Sequence, residues 1–491
     1  MDDREMLARA LPPSIDVAID GHFAGKLTPQ LQYELKGWVL LALAALALAG
    51  VLALVLALSR VPGADMAFPF IDQNFFRRVL VVHVTFAFVV WYLGVQGAIT
   101  VLVTARLEPE EGRTTFGRAL VGRAGLFGAV LSFVLLLIPV LGNRGIPSPN
   151  NYVPMLLHPI YYAGLMCLAL SLALPIVRFL ARIVRLKGVE ATTLGVACAG
   201  AIYLLALVCV PVAWLSRPAS LVGEDLSDYM MWGVGHVLQL ANTALLLCVA
   251  YLLSRVTLGE TPLPARLFKA MLLLLVAGAA AGPLFYVTFD GGDPTQRLMF
   301  TALYRFVLPL PAAVVCISVI ALLIRRRHDL WVGAPEARGL AAALALFAYG
   351  GLIGFFESSV DTRTPAHYHA ELIAVTLAFM TAYFAVFLPL LGRRTERRRL
   401  RTAMYLTLGG GQFLHSTGLF IAGALGVARK TAGAAQGLDS SDKVFAMSLM
   451  GVGGIVAVVG GIIFIALAGK LLLAKQAPGV TATGSDGIAA A

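Results

Sequence analysis

Runs of about twenty predominantly apolar residues recur along the whole chain, and each run is long enough to cross a lipid bilayer as an α-helix. Hydrophobic residues make up 59% of the 491 residues and charged residues only 13%, so the polar stretches between the runs are too short for a soluble domain. About twelve runs occur, near residues 37–59, 79–104, 119–142, 154–177, 193–215, 229–254, 266–288, 298–324, 339–359, 365–391, 403–427 and 445–474.

These runs predict an all-α, polytopic membrane protein with about twelve transmembrane helices. We expect three parts along the chain. A cytoplasmic N-terminal segment covers residues 1–36, and the transmembrane domain covers residues 37–475. The last part, residues 476–491, is small and polar in composition and is predicted to be a disordered tail.

Arginine and lysine are concentrated in the short loops after every second apolar run, for example in residues 178–187 and 393–401. Because cytoplasmic loops carry an excess of basic residues, we expect a multi-pass protein of the bacterial cytoplasmic membrane with both termini cytoplasmic. This clustering also accounts for the net charge of +11, which therefore does not indicate nucleic-acid binding. Two basic pairs, at 77–78 and 429–430, fall on the outer side, where acidic groups of a cofactor would explain them.

Five of the eight histidines fall at one predicted depth, in the outer third of the membrane. Ionisable side chains at membrane depth are costly and by default suggest a function. A common depth on several helices also suits a shared cofactor layer. The five are His83, His158, His236, His367 and His369, whereas His415 lies deeper, within the eleventh run.

Residues 361–372 place a His-x-His pair between two long apolar runs. Pro365 suits the first turn of a helix, which puts His367 and His369 in the first turns of the predicted tenth span. Residues two apart on an α-helix are separated by about 200°, so the two imidazoles point to nearly opposite faces. They can hold one metal each, on either side of the helix. The alternative is a pair of histidines hydrogen-bonded at a helix entrance.

Together these features resemble subunit I of the haem-copper oxidase superfamily, which includes cytochrome c oxidases and nitric oxide reductases. In that family a histidine of span 2 and the second histidine of a His-x-His in span 10 ligate a low-spin haem, while the first ligates a high-spin haem. The resemblance implies that His83 and His369 hold the low-spin haem and that His367 holds the high-spin haem. Arg429 and Lys430 resemble the family's basic segment at the haem propionates. A pair of snorkelling interfacial side chains is the alternative.

The second-metal region departs from the family. The segment from Trp232 to His236 is similar to the family's Trp-x-Gly-His, which implies that His236 ligates copper or a non-haem iron. However, the His-His pair near the end of span 7 is absent from residues 282–287, and Leu240 replaces a tyrosine found in many oxidases. One imidazole is a poor copper site, because copper and iron sites usually recruit several ligands.

Several polar residues are candidate substitutes at this second centre. Glu357, Asp290 and Glu371 supply carboxylates of the kind that nitric oxide reductases place around a non-haem iron, and Gln239 lies one turn from His236. Each could equally be an outer-surface residue or a hydrogen-bond partner. We interpret His158 as structural, because the family does not use it as a metal ligand.

The resemblance implies a haem-containing respiratory oxidoreductase that passes electrons from the low-spin to the high-spin haem and reduces oxygen or nitric oxide. The expected catalytic residues are His367, Glu357 and Gln239. The sequence has no Cys-x-x-Cys-His motif, so electrons are expected from a small donor subunit, a soluble cytochrome c or a cupredoxin. The alternative is a non-catalytic relative that has lost the second metal and serves as an electron carrier or gas sensor. A transporter of an unrelated class would bind no haem.

Overall fold

The computed structural model describes residues 27–60, 72–107, 116–150, 153–357 and 360–474. Long helices dominate these ranges and form a membrane bundle, which confirms the predicted all-α polytopic fold. They are α1 (Pro29–Ser59), α2 (Gln73–Ala105), α3 (Phe116–Leu141), α4 (Pro159–Ile183), α5 (Ala191–Ser216), α6 (Gly223–Leu258), α7 (Ala265–Thr288), α8 (Pro294–Arg325), α9 (Pro335–Gly354), α10 (Arg363–Leu390), α11 (Arg398–Ala424) and α12 (Ser441–Leu473). A short helix, Arg327–Val332, follows α8, and a 3₁₀ turn, Gly433–Gln436, precedes α12.

Within the described ranges, eleven of these helices are long and apolar enough to cross a membrane. The other one, α11, has 27 residues but carries Gln412 and His415 in its interior. It packs against α10 on one side and α12 on the other, and Gln412 is buried. Neighbouring helices therefore shield the polar residues of α11 from lipid, and α11 completes the predicted set of about twelve spans.

The first span begins earlier than predicted. Helix α1 starts at Pro29, and the hydroxyl of Thr28 caps it by accepting a hydrogen bond from the backbone nitrogen of Leu31 at 3.3 Å. Eight residues assigned to the cytoplasmic segment, 29–36, are thus helical. Their acidic member, Glu34, is fully buried because Arg178 of α4 donates to both its carboxylate oxygens, at 3.0 and 2.6 Å. The remaining predictions, for residues 1–26 and for the tail, 476–491, concern residues outside the described ranges.

A two-stranded hairpin lies between α3 and α4. Strand β1 (Ile146–Ser148) pairs antiparallel with β2 (Met155–Leu157). Arg78 of α2 donates to the carbonyl oxygens of Arg144 and Gly145, at 2.8 and 2.9 Å, and so ties the hairpin to the start of α2. Hydrogen bonds to backbone carbonyls next to this hairpin, and not only interactions with cofactor groups, therefore explain why Arg78 lies on the predicted outer side of the membrane.

In the described helices, three spans contain a π-helical turn. The turns are Thr85–Val90 in α2, Leu303–Val307 in α8 and Tyr383–Phe387 in α10. Such turns appear mostly as single insertions inside α-helices and are frequent at functional sites. The turn in α2 begins two residues after His83, so it changes the helical register directly beside a candidate ligand.

Glycines let the backbones of α11 and α12 approach each other closely. A Cβ atom added at Gly453 of α12 would lie 2.7 Å from the carbonyl oxygen of Gly411 and would also collide with the backbone nitrogen of His415. Small residues at helix interfaces allow such close approach inside membranes. This contact sets the position of His415 in the bundle.

We expect Gly453→Ala to lower the thermal stability of the purified protein, because the added methyl group forces the two helix backbones apart at a cost of about 1–3 kcal/mol. Gly461→Ala on the same helix is the matched control, since nothing lies within 4 Å of a Cβ atom built there. The measurement is the Tm in detergent. Equal Tm values for the two variants would contradict the close contact.

Candidate functional site

Carbonyl oxygens of neighbouring helices hold His83, a predicted ligand, and His415, which the sequence did not single out as a ligand. Nδ1 of His83 on α2 lies 2.9 Å from the carbonyl oxygen of Ala49 on α1. Nδ1 of His415 on α11 lies 2.9 Å from the carbonyl oxygen of Met450 on α12. A carbonyl oxygen can only accept, so Nδ1 carries the hydrogen and Nε2 keeps its lone pair. Metal-ligating histidines typically have this tautomer, with the second nitrogen donating to a carbonyl or carboxylate.

The structure brings His83, His369 and His415 into one half-buried group. The rings of His369 and His415 meet edge to face, with centroids 4.9 Å apart and an interplanar angle of 65°. His83 and Arg60 are close enough to interact electrostatically with both of these rings. Among the described residues, Nε of Arg60 is buried without a hydrogen-bond partner, and its guanidinium carbon lies 5.2 Å from the ring centroid of Phe76. The two residues predicted to share a cofactor thus lie together, beside a cation.

His367 lies on the opposite side of α10, in a groove that glycines leave on α9. Its Nδ1 lies 2.8 Å from the carbonyl oxygen of Gly350. A Cβ atom at Gly354 would lie 2.6 Å from the same nitrogen, so only glycine leaves room for the ring. Glu371 fills the next part of the groove, where a Cβ atom at Gly350 would lie 2.7 Å from its Cγ. The predicted separation of the two imidazoles holds, since His367 faces α8 and α9 whereas His369 faces α11.

The other ring nitrogen of His367 is also engaged. Tyr304 of α8 donates its hydroxyl to Nε2 of His367 across 2.7 Å, because Nδ1 of that ring already carries the hydrogen. Tyr304 belongs to the π-helical turn Leu303–Val307. His367 itself is only 8% exposed. Both nitrogens of this imidazole therefore contact protein groups.

His236 is buried on α6 among aromatic side chains. Its Nδ1 lies 2.7 Å from the carbonyl oxygen of Trp232, and its ring packs against those of Trp232 and Phe300, with centroids 4.9 and 5.7 Å away. In the region that lacks the His-His pair, Tyr286 accepts a hydrogen bond from the backbone nitrogen of Gly233 at 2.9 Å. In the part of the chain that the structure describes, no three histidine, cysteine, aspartate or glutamate side chains are grouped to hold a metal ion.

The other candidate residues are dispersed around these histidines. Glu357 is exposed just beyond α9, and Glu371 interacts electrostatically with both His367 and Glu357. Gln239 is half-buried on α6, and Asp290 is exposed in the loop after α7. His158 caps α4, where its Nδ1 accepts a hydrogen bond from the backbone nitrogen of Ile160 at 3.3 Å, as its structural interpretation requires.

The loop after α11 holds Arg429 and Lys430 against the starts of two other spans. The backbone nitrogen of Arg429 donates to the carbonyl oxygen of Val360 at 3.3 Å, and Gln73 of α2 donates to the carbonyl oxygen of Lys430 at 2.9 Å. Lys430 has a φ of 58°, and its ammonium donates to the carbonyl oxygen of Pro149. Burial, and then the charge of Arg429, lower the pKa of Lys430 from 10.5 to about 8. An anion bound here would raise that pKa again.

Four features of this site were missed from the sequence: His415 beside His369, Arg60, Tyr304 and the glycine groove. The spacing of Gly350, Gly351 and Gly354 repeats at three and four residues, so it marks one face of a helix and was available as a signal. The reach of Tyr304 and Arg60 depends on how helices pack, which no local pattern reveals.

The fold is that of a polytopic membrane protein. Imidazoles line the centre of its helical bundle, and carbonyl oxygens fix their Nδ1 atoms. The chain matches the family model described as Cytochrome C and Quinol oxidase polypeptide I over residues 35–463, which is most of its length. It therefore belongs to this family, as the resemblance indicated, and is a subunit I-like membrane oxidoreductase.

Individual comparisons agree with this membership. The chain is 24% identical to an uncharacterised protein of Rickettsia prowazekii (strain Madrid E), over 89% of this chain and 95% of that protein. It is 26% identical to an uncharacterised protein of Aquifex aeolicus (strain VF5), over 71% and 83% of the two. Its fold is similar to a haem-copper terminal oxidase dimer solved by cryo-electron microscopy, with a TM-score of 0.72 and 17% identity over 92% of this chain and 86% of that chain.

The pKa of Lys430 gives a test of this loop. We expect Arg429→Ala to raise the pKa of Lys430 from about 8, because the variant removes a nearby positive charge. The neutral amine is the reactive form, so the midpoint of pH-dependent acetylation at Lys430, followed by mass spectrometry, should move to higher pH. Arg393→Ala, in the loop after α10, should leave the midpoint unchanged. Identical midpoints in both variants would contradict the electrostatic effect of Arg429 on Lys430.

Proposed function

We propose that this protein is a haem-containing respiratory oxidoreductase that carries electrons from a low-spin haem, held by His83 and His369, to a high-spin haem, held by His367, to reduce oxygen or nitric oxide. The observation that carries this proposal is the division of histidines across α10. His369 meets His83 and His415 on one side, whereas His367 lies in the glycine groove on the other. One short helical segment thus serves two sites. Family membership supports the same assignment.

The residues on the low-spin side fit a haem. Nε2 of His83 keeps its lone pair and could therefore bind iron, because Nδ1 faces the carbonyl oxygen of Ala49. The buried Nε of Arg60, which has no partner among the described residues, offers a donor to an acidic group. Lys430, whose pKa is lowered by burial, would likewise be stabilised by a carboxylate such as a haem propionate. We therefore assign His83 and His369 as ligands and Arg429 and Lys430 as propionate partners.

A haem held by these residues would supply one-electron redox chemistry, and its potential would depend on the residues that hold it and on the charges around it. The chain's contribution would be to orient the imidazoles that hold the haem. The carbonyl oxygens of Ala49 and Met450 fix the orientation of two imidazole rings. Arg60 places a positive charge beside the same group, which favours the more negative, reduced state of a bound cofactor.

The residues at the second-metal position do not fit a copper or iron ion. The imidazole of His236 packs against two aromatic rings, and the described ranges contain no group of three histidine, cysteine or carboxylate side chains that could hold a metal ion. Glu357 and Gln239 remain our proposed polar residues for the gas-reducing side, together with His367.

A second candidate function is that of a haem-bearing electron carrier or gas sensor without turnover. Two observations favour it. No three histidine, cysteine, aspartate or glutamate side chains among the described residues are grouped to hold a metal ion, and the hydroxyl of Tyr304 occupies Nε2 of His367. In either case we propose that electrons arrive from a small donor subunit, a soluble cytochrome c or a cupredoxin. We also propose that both termini face the cytoplasm of a bacterium, because basic residues cluster in alternate loops.

Spectra of the dithionite-reduced protein, recorded with and without carbon monoxide, test the proposal. We expect two haem populations, of which only one responds to carbon monoxide, since a single protein ligand leaves one coordination position open. His83→Ala and His369→Ala should each abolish the low-spin signal and leave the carbon monoxide response. His367→Ala should abolish the response alone. His158→Ala is the matched control and should keep both signals, because His158 caps α4.

Two haem populations that both ignore carbon monoxide would favour the electron carrier over the gas-reducing enzyme. Absence of haem from protein produced with ample haem would overturn both candidates. Loss of both signals in His369→Ala, with a normal Tm, would contradict the division of the two sites across α10.

A further inference from the structure

We propose that Tyr304 competes with haem iron for His367 and thereby sets how tightly the high-spin side holds its haem. The inference rests on the proposed function in one respect, namely that His367 is the iron ligand on this side. Tyr304 thereby has a specific effect on haem binding, a role that none of the sequence motifs indicates.

The competition follows from the hydrogen bonding of one ring. Nδ1 of His367 faces the carbonyl oxygen of Gly350 at 2.8 Å and therefore carries the ring hydrogen. Nε2 then has one lone pair, and the hydroxyl of Tyr304 donates to it across 2.7 Å, a normal length for a strong hydrogen bond. An iron ion binds through that same lone pair. Hydroxyl and iron are therefore mutually exclusive partners of His367.

His367 has no room to move away from this competition. A Cβ atom at Gly354 would lie 2.6 Å from Nδ1 and 2.8 Å from Cε1, so the ring already rests against the backbone of α9. Moving the ring further from Tyr304 would break its hydrogen bond to the carbonyl oxygen of Gly350 and would push the ring into α9. Release of Nε2 therefore has to come from Tyr304.

Tyr304 is placed on a part of α8 that can accommodate such a movement. It lies in the π-helical turn Leu303–Val307, where one inserted residue interrupts the regular hydrogen-bond ladder. Its side chain is only half-buried, and its neighbours Arg305 and Phe306 are exposed. A rotation of this side chain consequently leaves no buried cavity behind. If the hydrogen bond between Tyr304 and His367 were purely structural, its removal would weaken the bundle and would not improve haem binding.

Tyr304→Phe separates these two explanations. It removes the competing hydroxyl and keeps the ring, so we expect about fivefold tighter haem binding at His367, the amount that corresponds to one neutral hydrogen bond. The protein is titrated with haem in detergent, and the carbon monoxide-responsive haem per chain is quantified by difference spectrum and pyridine haemochrome. Tyr349→Phe is the matched control, because it removes a hydroxyl that lies 2.8 Å from Oγ1 of Thr417 and so removes a hydrogen bond that does not involve His367. That variant should bind haem as the parent protein does.

His367→Ala in the parent and in Tyr304→Phe distinguishes failure of this inference from failure of the proposed function. If His367→Ala abolishes the response but Tyr304→Phe binds haem no more tightly than the parent, the competition is overturned and the ligand assignment stands. If the response survives His367→Ala, the assignment of His367 is wrong. A response that appears only in Tyr304→Phe supports the competition and favours the non-catalytic function for the parent. No response in either protein overturns the competition.

Discussion

Backbone carbonyl oxygens fix the imidazoles on which the site depends. Nδ1 of His83, His367 and His415 each faces a carbonyl of a neighbouring helix, and Nδ1 of His236 faces one in its own helix. A helical carbonyl has a second lone pair beyond its ladder bond, so it can accept this donor without breaking the helix. Inside a bilayer, polar atoms must find partners within the protein. The helix backbones therefore satisfy the histidines and orient them at once.

This mode of support makes the histidines sensitive to helix packing. For His367 and His415, glycines leave the room that the rings need beside the neighbouring helix. At Gly354 a Cβ atom would come within 2.6 Å of Nδ1 of His367, and at Gly454 within 3.2 Å of Nδ1 of His415. The position of these two imidazoles thus depends on main chain as well as on side chains such as Tyr304. On the second-metal side this support is present for His236, but the described residues contain no group of three histidine, cysteine, aspartate or glutamate side chains that could hold a metal ion.

Much of the fold follows from patterns within single helices, and these parts can be predicted from the sequence. Apolar length predicts the spans, and the two-residue spacing of His367 and His369 predicts that they face different helices. The predicted start of the first span, at residue 37, was wrong. The helix begins earlier because Arg178, which lies 144 residues further along the chain, neutralises the charge of Glu34. His415 was placed too deep to join His369, since glycine contacts between α11 and α12 decide its position. The contact of Tyr304 with His367 depends on a π-helical turn and on the packing of α8, which no spacing rule contains.

The composition of α11 has a consequence for how the protein enters its membrane. This helix has the length of a span, but Gln412, His415 and a row of three glycines leave it less apolar than its neighbours. If such a segment moved by itself from the translocation channel into lipid, its free energy would fall only slightly. Helix α12 is strongly apolar and makes close glycine contacts with it. We therefore expect α11 to be retained until α12 has been synthesised and to insert with it as a helical hairpin. The last imidazole of the site would then be delivered at the end of membrane insertion, after the other helices are already in place.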